Sequence, residues 1–267
     1  MIWLTLVTSS FAWAISCQKS IIEDKKSPTV QGPVIDPVRV VPKDSMILID
    51  ASRDGGVWWF PQDPTTGFHS TDPHQGKALA DRLRELGFQV KELGRGEIIT
   101  DNTLESYTNV IRGPAFSDYT PSEVESYDRY LQKGGSLLLM QDHLRYTAND
   151  RLSEHLGVHF TGVALGTITT YAPHAITEHA GPLPYIAGSV VILDEKTTNL
   201  TGLGWLGPED FLDANGNGVY DPGEVKAPCV MGIVTDHPGS RILFIGDSNG
   251  LENVPQPLTD NIIKWLF

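Results

Sequence analysis

The twelve residues from Asp213 to Glu224 have the oxygen-bearing side chains and the spacing of a calcium-binding loop. Such a loop takes side-chain oxygens from positions 1, 3, 5, 9 and 12, a carbonyl oxygen from position 7, and turns sharply at a glycine in position 6. The turn falls at Gly218. The spacing therefore predicts a Ca²⁺ site whose ligands are Asp213, Asn215, Asn217, Val219 (through its carbonyl), Asp221 and Glu224.

The same stretch also fits a second interpretation, an Asn/Gly-rich surface turn without a metal. Pro208, Pro222 and Pro228 stand before, within and after the loop, so long flanking helices are not expected. Two of the side-chain ligands are neutral amides, which predicts a modest affinity, with Kd roughly 10⁻⁴ to 10⁻³ M. We expect an isolated loop that stabilises a long connection, rather than a helix–loop–helix sensor.

The chain begins with sixteen uncharged, mainly apolar residues that end at Ala14-Ile15-Ser16-Cys17. This stretch is too short to span a bilayer comfortably and too apolar for the start of a soluble domain. It resembles a bacterial lipoprotein signal, which implies a signal peptide over residues 1–17 with a lipidated Cys17. The resemblance places the protein in the bacterial cell envelope, anchored to a membrane, and Gln18 favours the outer membrane. An ordinary cleaved signal peptide is the alternative.

Composition constrains the rest of the chain. Residues 18–44 are polar and lack a helical or strand period, so they predict a flexible tether before one domain over residues 45–267. The net charge is −13, from 33 acids against 20 bases, and no basic stripe is present, so no nucleic-acid partner is expected. Lipidation of Cys17 would leave Cys229 without a disulfide partner. Cys229 lies in an apolar run, which favours a buried, inert thiol over a catalytic one.

Short apolar runs alternate with helical patterns along the domain. Thr120-Pro121-Ser122-Glu123 has the form of a capping box with proline at the first helical position, and the helix it opens ends before Gly134. Alternation of this kind predicts an α/β fold, a single domain with a mostly parallel three-layer sheet. The clearest strand patterns are Met46–Asp50, Asn109–Ile111, Ser136–Met140, Val230–Val234 and Arg241–Ile245.

Several segments together resemble one family, the class I glutamine-amidotransferase-like, flavodoxin-like domain of gliding-motility transporter accessory proteins and uncharacterised bacterial lipoproteins. The resemblance implies a flavodoxin-like sheet over residues 45–267, with the calcium loop inserted between late strands. True amidotransferases place a nucleophilic cysteine just after a central strand, whereas Gln141-Asp142-His143 stands there, so amidotransferase activity is not expected. The matching segments are Ile111-Arg112-Gly113-Pro114, Gly134-Gly135-Ser136-Leu137-Leu138-Leu139, His174-Ala175-Ile176-Thr177, Arg241 to Ser248 and Asp260 to Leu266.

The carboxyl ends of the predicted strands carry the polar residues of a candidate crevice, because open α/β sheets bind ligands at that edge. The connection over residues 51–75 is long, aromatic and polar, as functional loops often are. Its tryptophans could stack on a ligand, or they could pack as a local core beneath the loop. The ligand-binding candidates are Asp54, Trp58, Trp59, His69, His74 and Asp247, and the catalytic candidates are Asp142 and His143.

Two functions follow from these residues. The first is a lipid-anchored, calcium-binding, non-catalytic module that binds a glycan, a peptide or a protein. The second is a hydrolase that acts on glycans or peptides through Asp142, His143 and the long loop. Convergence of Asp54, His69 or His74 with Asp142 and His143 around one point would favour the hydrolase. Dispersed or buried side chains would favour the binding module.

Overall fold

The computed structural model describes residues 45–54, 58–59, 74–142, 149–193, 197–252 and 257–267. The strands of this part are β1 Met46–Asp50, β2 Gln89–Leu93, β3 Asn109–Arg112, β4 Ser136–Met140, β5 Phe160–Tyr171, β6 Leu183–Val191, β7 Leu200–Leu206, β8 Cys229–Val234 and β9 Arg241–Ile245. Its α-helices are α1 Lys77–Glu85, α2 Asp101–Leu104, α3 Pro121–Gln132, α4 Arg151–His155 and α5 Pro257–Leu266.

One half of the sheet is parallel, in the order β2-β1-β3-β4-β9. Successive side chains of a strand point to opposite faces, so the apolar run of β1 supplies both faces of the sheet. Ile47 and Ile49 pack in the core under α1 and α5, whereas Leu48 packs in the core under α2, α3 and α4. Burial on both faces explains why β1, β4 and β9 are apolar runs in the sequence.

The other half of the sheet is antiparallel and closes on itself. β8 runs antiparallel to β9 and continues the sheet through β6, β5 and β7. β7 then returns to pair with β8, where Cys229 lies opposite both Val191 of β6 and Trp205 of β7. The four strands β8, β6, β5 and β7 therefore form a small closed barrel joined to the parallel strands through β8.

This architecture corrects the predicted fold class. Among the strand pairings of the described residues, four are parallel and five are antiparallel, and the antiparallel strands close into a barrel. The prediction of a mostly parallel, three-layer, flavodoxin-like sheet is therefore wrong. The resemblance to a class I amidotransferase-like domain is wrong with it, because that resemblance implied the same sheet.

Irregular register explains why the antiparallel strands are difficult to predict from sequence. β5 pairs with β6 through register shifts between Thr161 and Ala164 and between Ala164 and Gly166. Each shift moves the apolar side chains out of the two-residue alternation that marks a half-buried strand. The long strand β5 therefore has no uninterrupted period that a sequence pattern could report.

The predicted start of α3 is confirmed. Thr120 Oγ1 accepts a hydrogen bond from the Glu123 N–H, and the Glu123 carboxylate accepts one from the Thr120 N–H at 2.8 Å. The Glu123 carboxylate also accepts hydrogen bonds from the Arg53 guanidinium at 2.7 Å and from the Ile99 N–H at 3.2 Å. Burial alone would raise the pKa of Glu123, but these hydrogen bonds outweigh it and lower that pKa overall. The capping box therefore also fixes the segment that follows β1.

The amino-terminal predictions fall outside this part of the chain. The signal peptide over residues 1–17 and the tether over residues 18–44 lie among residues that the structure does not describe. Within the described ranges, none of the helices combines the length and the apolar character needed to cross a membrane.

Candidate functional site

The carboxyl ends of β1, β3, β4 and β9 meet at one edge of the parallel half, which we call the carboxyl edge. The strand register places Asp50 opposite Arg112 and Met140 opposite Ile245. The polar residues that end or directly follow these strands are Asp50, Arg112, Asp142 and Asp247, and all of them are buried. Buried polar groups need partners, so the edge is best understood through its hydrogen bonds.

Asp50 is fully satisfied by its neighbours. Its Oδ1 accepts from the N–H and the hydroxyl of Ser52 at 3.0 and 2.6 Å. Its Oδ2 accepts from the hydroxyls of Tyr119 and Tyr127 at 2.7 and 2.6 Å. Burial and the nearby Asp50 carboxylate raise the pKa values of both tyrosines well above normal, so both stay protonated donors. With four donors in place, Asp50 serves as a structural carboxylate.

Arg112 and Asp150 form a fully buried ion pair beside this network. Arg112 Nη2 lies 3.1 Å from Asp150 Oδ2, and both side chains have an exposed fraction of 0%. The two atoms are close but are not aligned as a regular hydrogen bond. Asp150 also caps α4, since its Oδ1 accepts from the Ser153 N–H at 2.9 Å. The pair ties the end of β3 to the start of α4.

A second network joins the ends of β4 and β9. The Ser248 hydroxyl lies 2.6 Å from Asp142 Oδ2 and 2.8 Å from Gln75 Oε1. The Ser189 hydroxyl donates to the Asp142 carbonyl. These contacts link β4, β6, β9 and the start of α1 through side chains that are largely inaccessible to solvent.

Asp247, the residue beside Ser248, is the titratable group with the most unusual environment at the edge. Its carboxylate accepts from the N–H groups of Ile186 at 2.6 Å and Asn249 at 2.8 Å. Burial, together with the nearby Asp142 carboxylate, raises the pKa of Asp247 to about 7 against the lowering effect of those two hydrogen bonds. Asp247 therefore changes charge near neutral pH while it holds β6 against the end of β9.

The two tryptophans predicted to face a ligand are packed inside the molecule. Trp58 and Trp59 have exposed fractions of 0% and 1% and belong to the hydrophobic core. The Trp59 N–H donates to Asp54 Oδ2 at 2.9 Å, and Trp59 Nε1 donates to Glu92 at 2.9 Å. His74 lies edge-on to Trp59 at 4.1 Å between ring centroids, and its Nδ1 is 3.0 Å from the Trp58 carbonyl. This is the local core that the sequence offered as the alternative; ligand contact at these residues stays a prediction.

The predicted site residues thus form two groups rather than one. Asp54 and His74 lie around the tryptophans, whereas Asp142 is hydrogen-bonded to Ser248 and Ser189. Asp247, next to Ser248, accepts from main-chain N–H groups. His69 and His143 fall outside the described residues.

Sequence reasoning missed several members of the edge: Gln75, Tyr119, Tyr127, Ser189 and the pairing of Arg112 with Asp150. One signal was available. Arg112 ends an apolar strand, and a guanidinium in such a position needs a buried acid. Its partner, Asp150, could have been suspected because it also stands at a helix start, but the two residues are far apart in the chain.

The predicted calcium loop is compact, and its polar side chains turn inward. Asp213 Oδ1 accepts from the N–H groups of Gly216 at 2.7 Å and Asn217 at 3.1 Å, and its Oδ2 accepts from Gly218 at 2.7 Å. Gly216 and Gly218 have φ values of 74° and 76°, which suit glycine and permit the sharp turn. Asp213 therefore organises the first half of the loop.

The later positions fold toward the same interior. Asp221 Oδ2 accepts from the side-chain amides of Asn215 at 2.7 Å and Asn217 at 2.8 Å. Glu224 accepts from the Ala214 N–H at 2.8 Å and the Asp221 N–H at 2.9 Å, and so closes the loop from its last position. The side chains at positions 1, 3, 5, 9 and 12 are thus joined by one continuous set of hydrogen bonds.

The loop is attached to the antiparallel barrel. Asp213 pairs with Val163 of β5, and its N–H donates to the Val163 carbonyl at 2.8 Å. The Leu212 N–H donates to the Val225 carbonyl at 2.9 Å and so brings the two ends of the loop together. The loop also lies within the connection from β7 to β8, the two strands whose pairing closes the barrel.

The structure does not present this loop as a metal centre built from carboxylates. Across the described residues, no group of three or more His, Cys, Asp and Glu side chains is arranged to hold a metal ion. The carboxylates of Asp213 and Glu224 are satisfied by main-chain N–H groups instead. The prediction of a flavodoxin-like fold is wrong, as the sheet topology shows. The predictions of calcium binding and of a lipoprotein have no support from an assembled metal cluster in the described residues.

Comparison with known proteins places the chain by fold alone. No protein-family model matches it, and no curated protein matches its sequence. The structure is similar to the mmIFT52 N-terminal domain, with a TM-score of 0.58 and 16% identity over 82% of this chain and 94% of that one. It is also similar to a putative ThuA-like protein from Bacteroides uniformis, with a TM-score of 0.52 and 12% identity over 86% and 93%.

A third similar structure is a cytoplasmic protein from Salmonella typhimurium, with a TM-score of 0.51 and 9% identity over 83% of this chain and 98% of that one. In all three the similarity extends over nearly the whole of the other chain. At such low identities the similarity is one of fold, so the function must be argued from the residues themselves.

Proposed function

We propose that this chain is a lipid-anchored, extracytoplasmic binding domain in which residues 213–224 take up a calcium ion. The single observation that carries the proposal is the inward-turned loop, in which Asp213, Asn215, Asn217, Asp221 and Glu224 are joined by hydrogen bonds. Calcium prefers six to eight oxygens from a flexible shell, and the loop holds that number within one short segment.

The expected role of the ion is structural. Calcium would bind Asp221 Oδ2, which accepts hydrogen bonds from the side-chain amides of Asn215 and Asn217 in this structure. It would thereby fix the connection between β7 and β8, whose pairing closes the barrel. An ion that binds only the folded chain stabilises it by mass action.

A binding role is supported better than hydrolysis by the described residues. The carboxylates of Asp50, Asp142 and Asp247 are buried and already accept hydrogen bonds from the protein. Asp54 and His74 pack around the tryptophans at a separate position. Hydrolysis is therefore the alternative that these contacts favour less. The carboxyl edge stays the proposed position for a glycan, peptide or protein ligand, because open α/β sheets bind ligands at that edge.

Calcium is expected to raise the thermal stability of the protein. At 10 mM Ca²⁺ and a Kd between roughly 10⁻⁴ and 10⁻³ M, binding would stabilise the folded state by about 1–3 kcal/mol. This corresponds to an increase in Tm of several degrees. Glu224→Ala deletes the ligand at position 12 and should remove most of the increase. Differential scanning calorimetry with calcium and with a chelator measures both quantities.

Glu209→Ala is the matched control, because Glu209 lies in the same connection, is 87% exposed and belongs to no loop position. This variant should keep the full response to calcium. Equal Tm values for the wild type in calcium and in chelator would contradict the proposal, and so would a Glu224→Ala variant that responds like the wild type.

Membrane attachment is expected to depend on Cys17. In a bacterium that lipidates exported proteins, the wild type should incorporate labelled fatty acid and fractionate with membranes. Cys17→Ser should do neither, since the serine hydroxyl does not replace the thiol as acceptor, whereas Cys229→Ser should label normally. Equal labelling of the wild type and Cys17→Ser would identify residues 1–17 as an ordinary signal peptide.

A further inference from the structure

We propose that the amino-terminal end of α1 is a binding subsite for an oxyanion, formed by the N–H groups of Ala78 and Leu79 and the indole N–H of Trp58. The subsite is separate from the calcium loop and does not depend on it. Its ligand would be a carboxylate or phosphate group, because all three donors are N–H groups.

The start of α1 has donors but no cap. Gly76 at the N-cap offers no side chain, and the first turn contains no acidic residue. The Lys77 N–H donates to the His74 carbonyl at 3.2 Å, but within the described ranges the amides of Ala78 and Leu79 have no acceptor. The first N–H groups of a helix lack partners inside the helix and form the positive end of its dipole, so they attract anions.

Trp58 supplies an independent sign of a missing acceptor. Its side chain is completely buried, yet Nε1 has no hydrogen-bond partner in the part of the chain that the structure describes. A Cβ added at Gly76 would lie 2.8 Å from Trp58 Cε2, the ring carbon that carries Nε1. The unpaired indole N–H is therefore beside the uncapped start of α1. A buried donor without an acceptor is unfavourable, so a ligand oxygen at this position would relieve it.

The charged residues nearest to this point are Asp54 and Lys77. A Cβ added at Gly113 would lie 2.7 Å from Asp54 Oδ2 and 3.3 Å from Trp58 Cε3. Asp54 therefore lies near Gly113 and the Cε3 atom of the indole ring, whereas Gly76 lies near the Cε2 and Cζ2 atoms. Lys77, in the first turn of α1, adds a cation that now pairs with Asp81. Gln75 Oε1 is held by Ser248 at 2.8 Å rather than by the helix N–H groups.

The position in the sheet agrees with this chemistry. β1 lies between β2 and β3, and the chain leaves β1 through α1 toward β2 on one side. Open α/β sheets bind ligands beyond the carboxyl end of a strand where successive connections diverge to opposite sides. Trp58 lies between Gly76 at the start of α1 and Gly113 directly after β3, which is that position.

The test is a titration of the full-length protein with inorganic phosphate and with acetate, against chloride at the same ionic strength, followed by ¹⁵N NMR. Phosphate should shift the amide signals of Ala78 and Leu79 together with the indole signal of Trp58. A response to acetate as well would extend the site to carboxylates. Trp58→Phe removes one hydrogen bond to a charged ligand and should weaken phosphate binding about tenfold.

Trp59→Phe is the matched control, because its Nε1 already donates to Glu92 at 2.9 Å and the variant should bind phosphate like the wild type. Ala78→Pro provides a second test if Trp58→Phe does not fold. Proline is tolerated in the first helical turn and removes one donor, so binding should again weaken about tenfold. The proposal would be overturned if phosphate shifted none of the signals of Ala78, Leu79 and the Trp58 indole. Unchanged phosphate affinity in Trp58→Phe and Ala78→Pro would overturn it as well, and both outcomes are independent of the response to calcium.

Discussion

Asp150→Asn is expected to lower the free energy of unfolding by about 3 kcal/mol or more, because it leaves the buried Arg112 guanidinium without its counter-charge. The substitution changes little else. The asparagine Oδ1 can still accept from the Ser153 N–H, which Asp150 Oδ1 now does at 2.9 Å, so the cap of α4 is retained. Urea unfolding followed by circular dichroism measures the difference.

The cause can be separated from general damage at this position. Arg112→Met in the Asp150→Asn background removes the unpaired charge and should recover part of the lost stability, since an apolar side chain of similar length suits a buried site. Asp101→Asn breaks the exposed pair with Arg129 and should have a much smaller effect. The explanation would be refuted if Asp150→Asn were as stable as the wild type. It would also be refuted if the double variant with Arg112→Met were less stable than Asp150→Asn alone.

Asp247 is expected to make the protein less stable as the pH rises from about 5 to 8. Its pKa is raised from 3.8 to about 7 in the folded state, so between these values the folded chain binds a proton that the unfolded chain has lost. The stabilisation is complete below pH 4 and is lost as the pH rises through 7. A shift of this size corresponds to about 4 kcal/mol, as an order of magnitude.

Asp247→Asn tests this pH dependence, because asparagine is neutral throughout and resembles the protonated acid. The stability advantage of the wild type over this variant should shrink steadily from pH 5 to pH 8 in urea unfolding experiments. Asp81→Asn is the control with the opposite sign. Hydrogen bonding to Lys77 lowers the pKa of Asp81, so its titration falls below this range and the difference from wild type should be constant. A constant difference for Asp247→Asn would contradict the prediction.

The parallel strands β1, β4 and β9 were predictable because each is buried on two faces. Residues 46–50, 136–140 and 241–245 are continuous apolar runs, and the structure gives strands with those bounds. The capping box likewise predicted the start of α3, since its residues act on their own backbone. In both cases the local sequence contains the whole physical cause of the element.

The antiparallel barrel was not predictable in the same way. β5 and β7 contain threonines and glycines, and register shifts interrupt the pairing of β5 with both of its neighbours. Its closure depends on β7 reaching β8 across a connection of more than twenty residues. No local pattern encodes that pairing. The sequence therefore predicted a mostly parallel sheet, whereas half of the observed sheet is antiparallel.

The candidate site divides in a similar way. A turn from Asp213 to Glu224 could be predicted because all of its residues are close in sequence, whereas calcium binding by this loop stays a prediction. The carboxyl edge could be located from the strand ends, but the partners of its carboxylates could not. Tyr119, Tyr127 and Ser248 reach Asp50 and Asp142 only after distant segments have packed together.

Closure of the barrel leaves β2 as the strand edge at which another chain could be added to the described sheet. Within the described residues, β7 is paired with β5 and β8, whereas β2 is paired with β1 alone. Unpaired strand edges are templates for intermolecular association, and charged side chains on them oppose it. β2 carries the exposed Lys91 at its centre, with Glu92 beside it. Replacing Lys91 by an apolar residue is therefore expected to promote aggregation through the edge of β2.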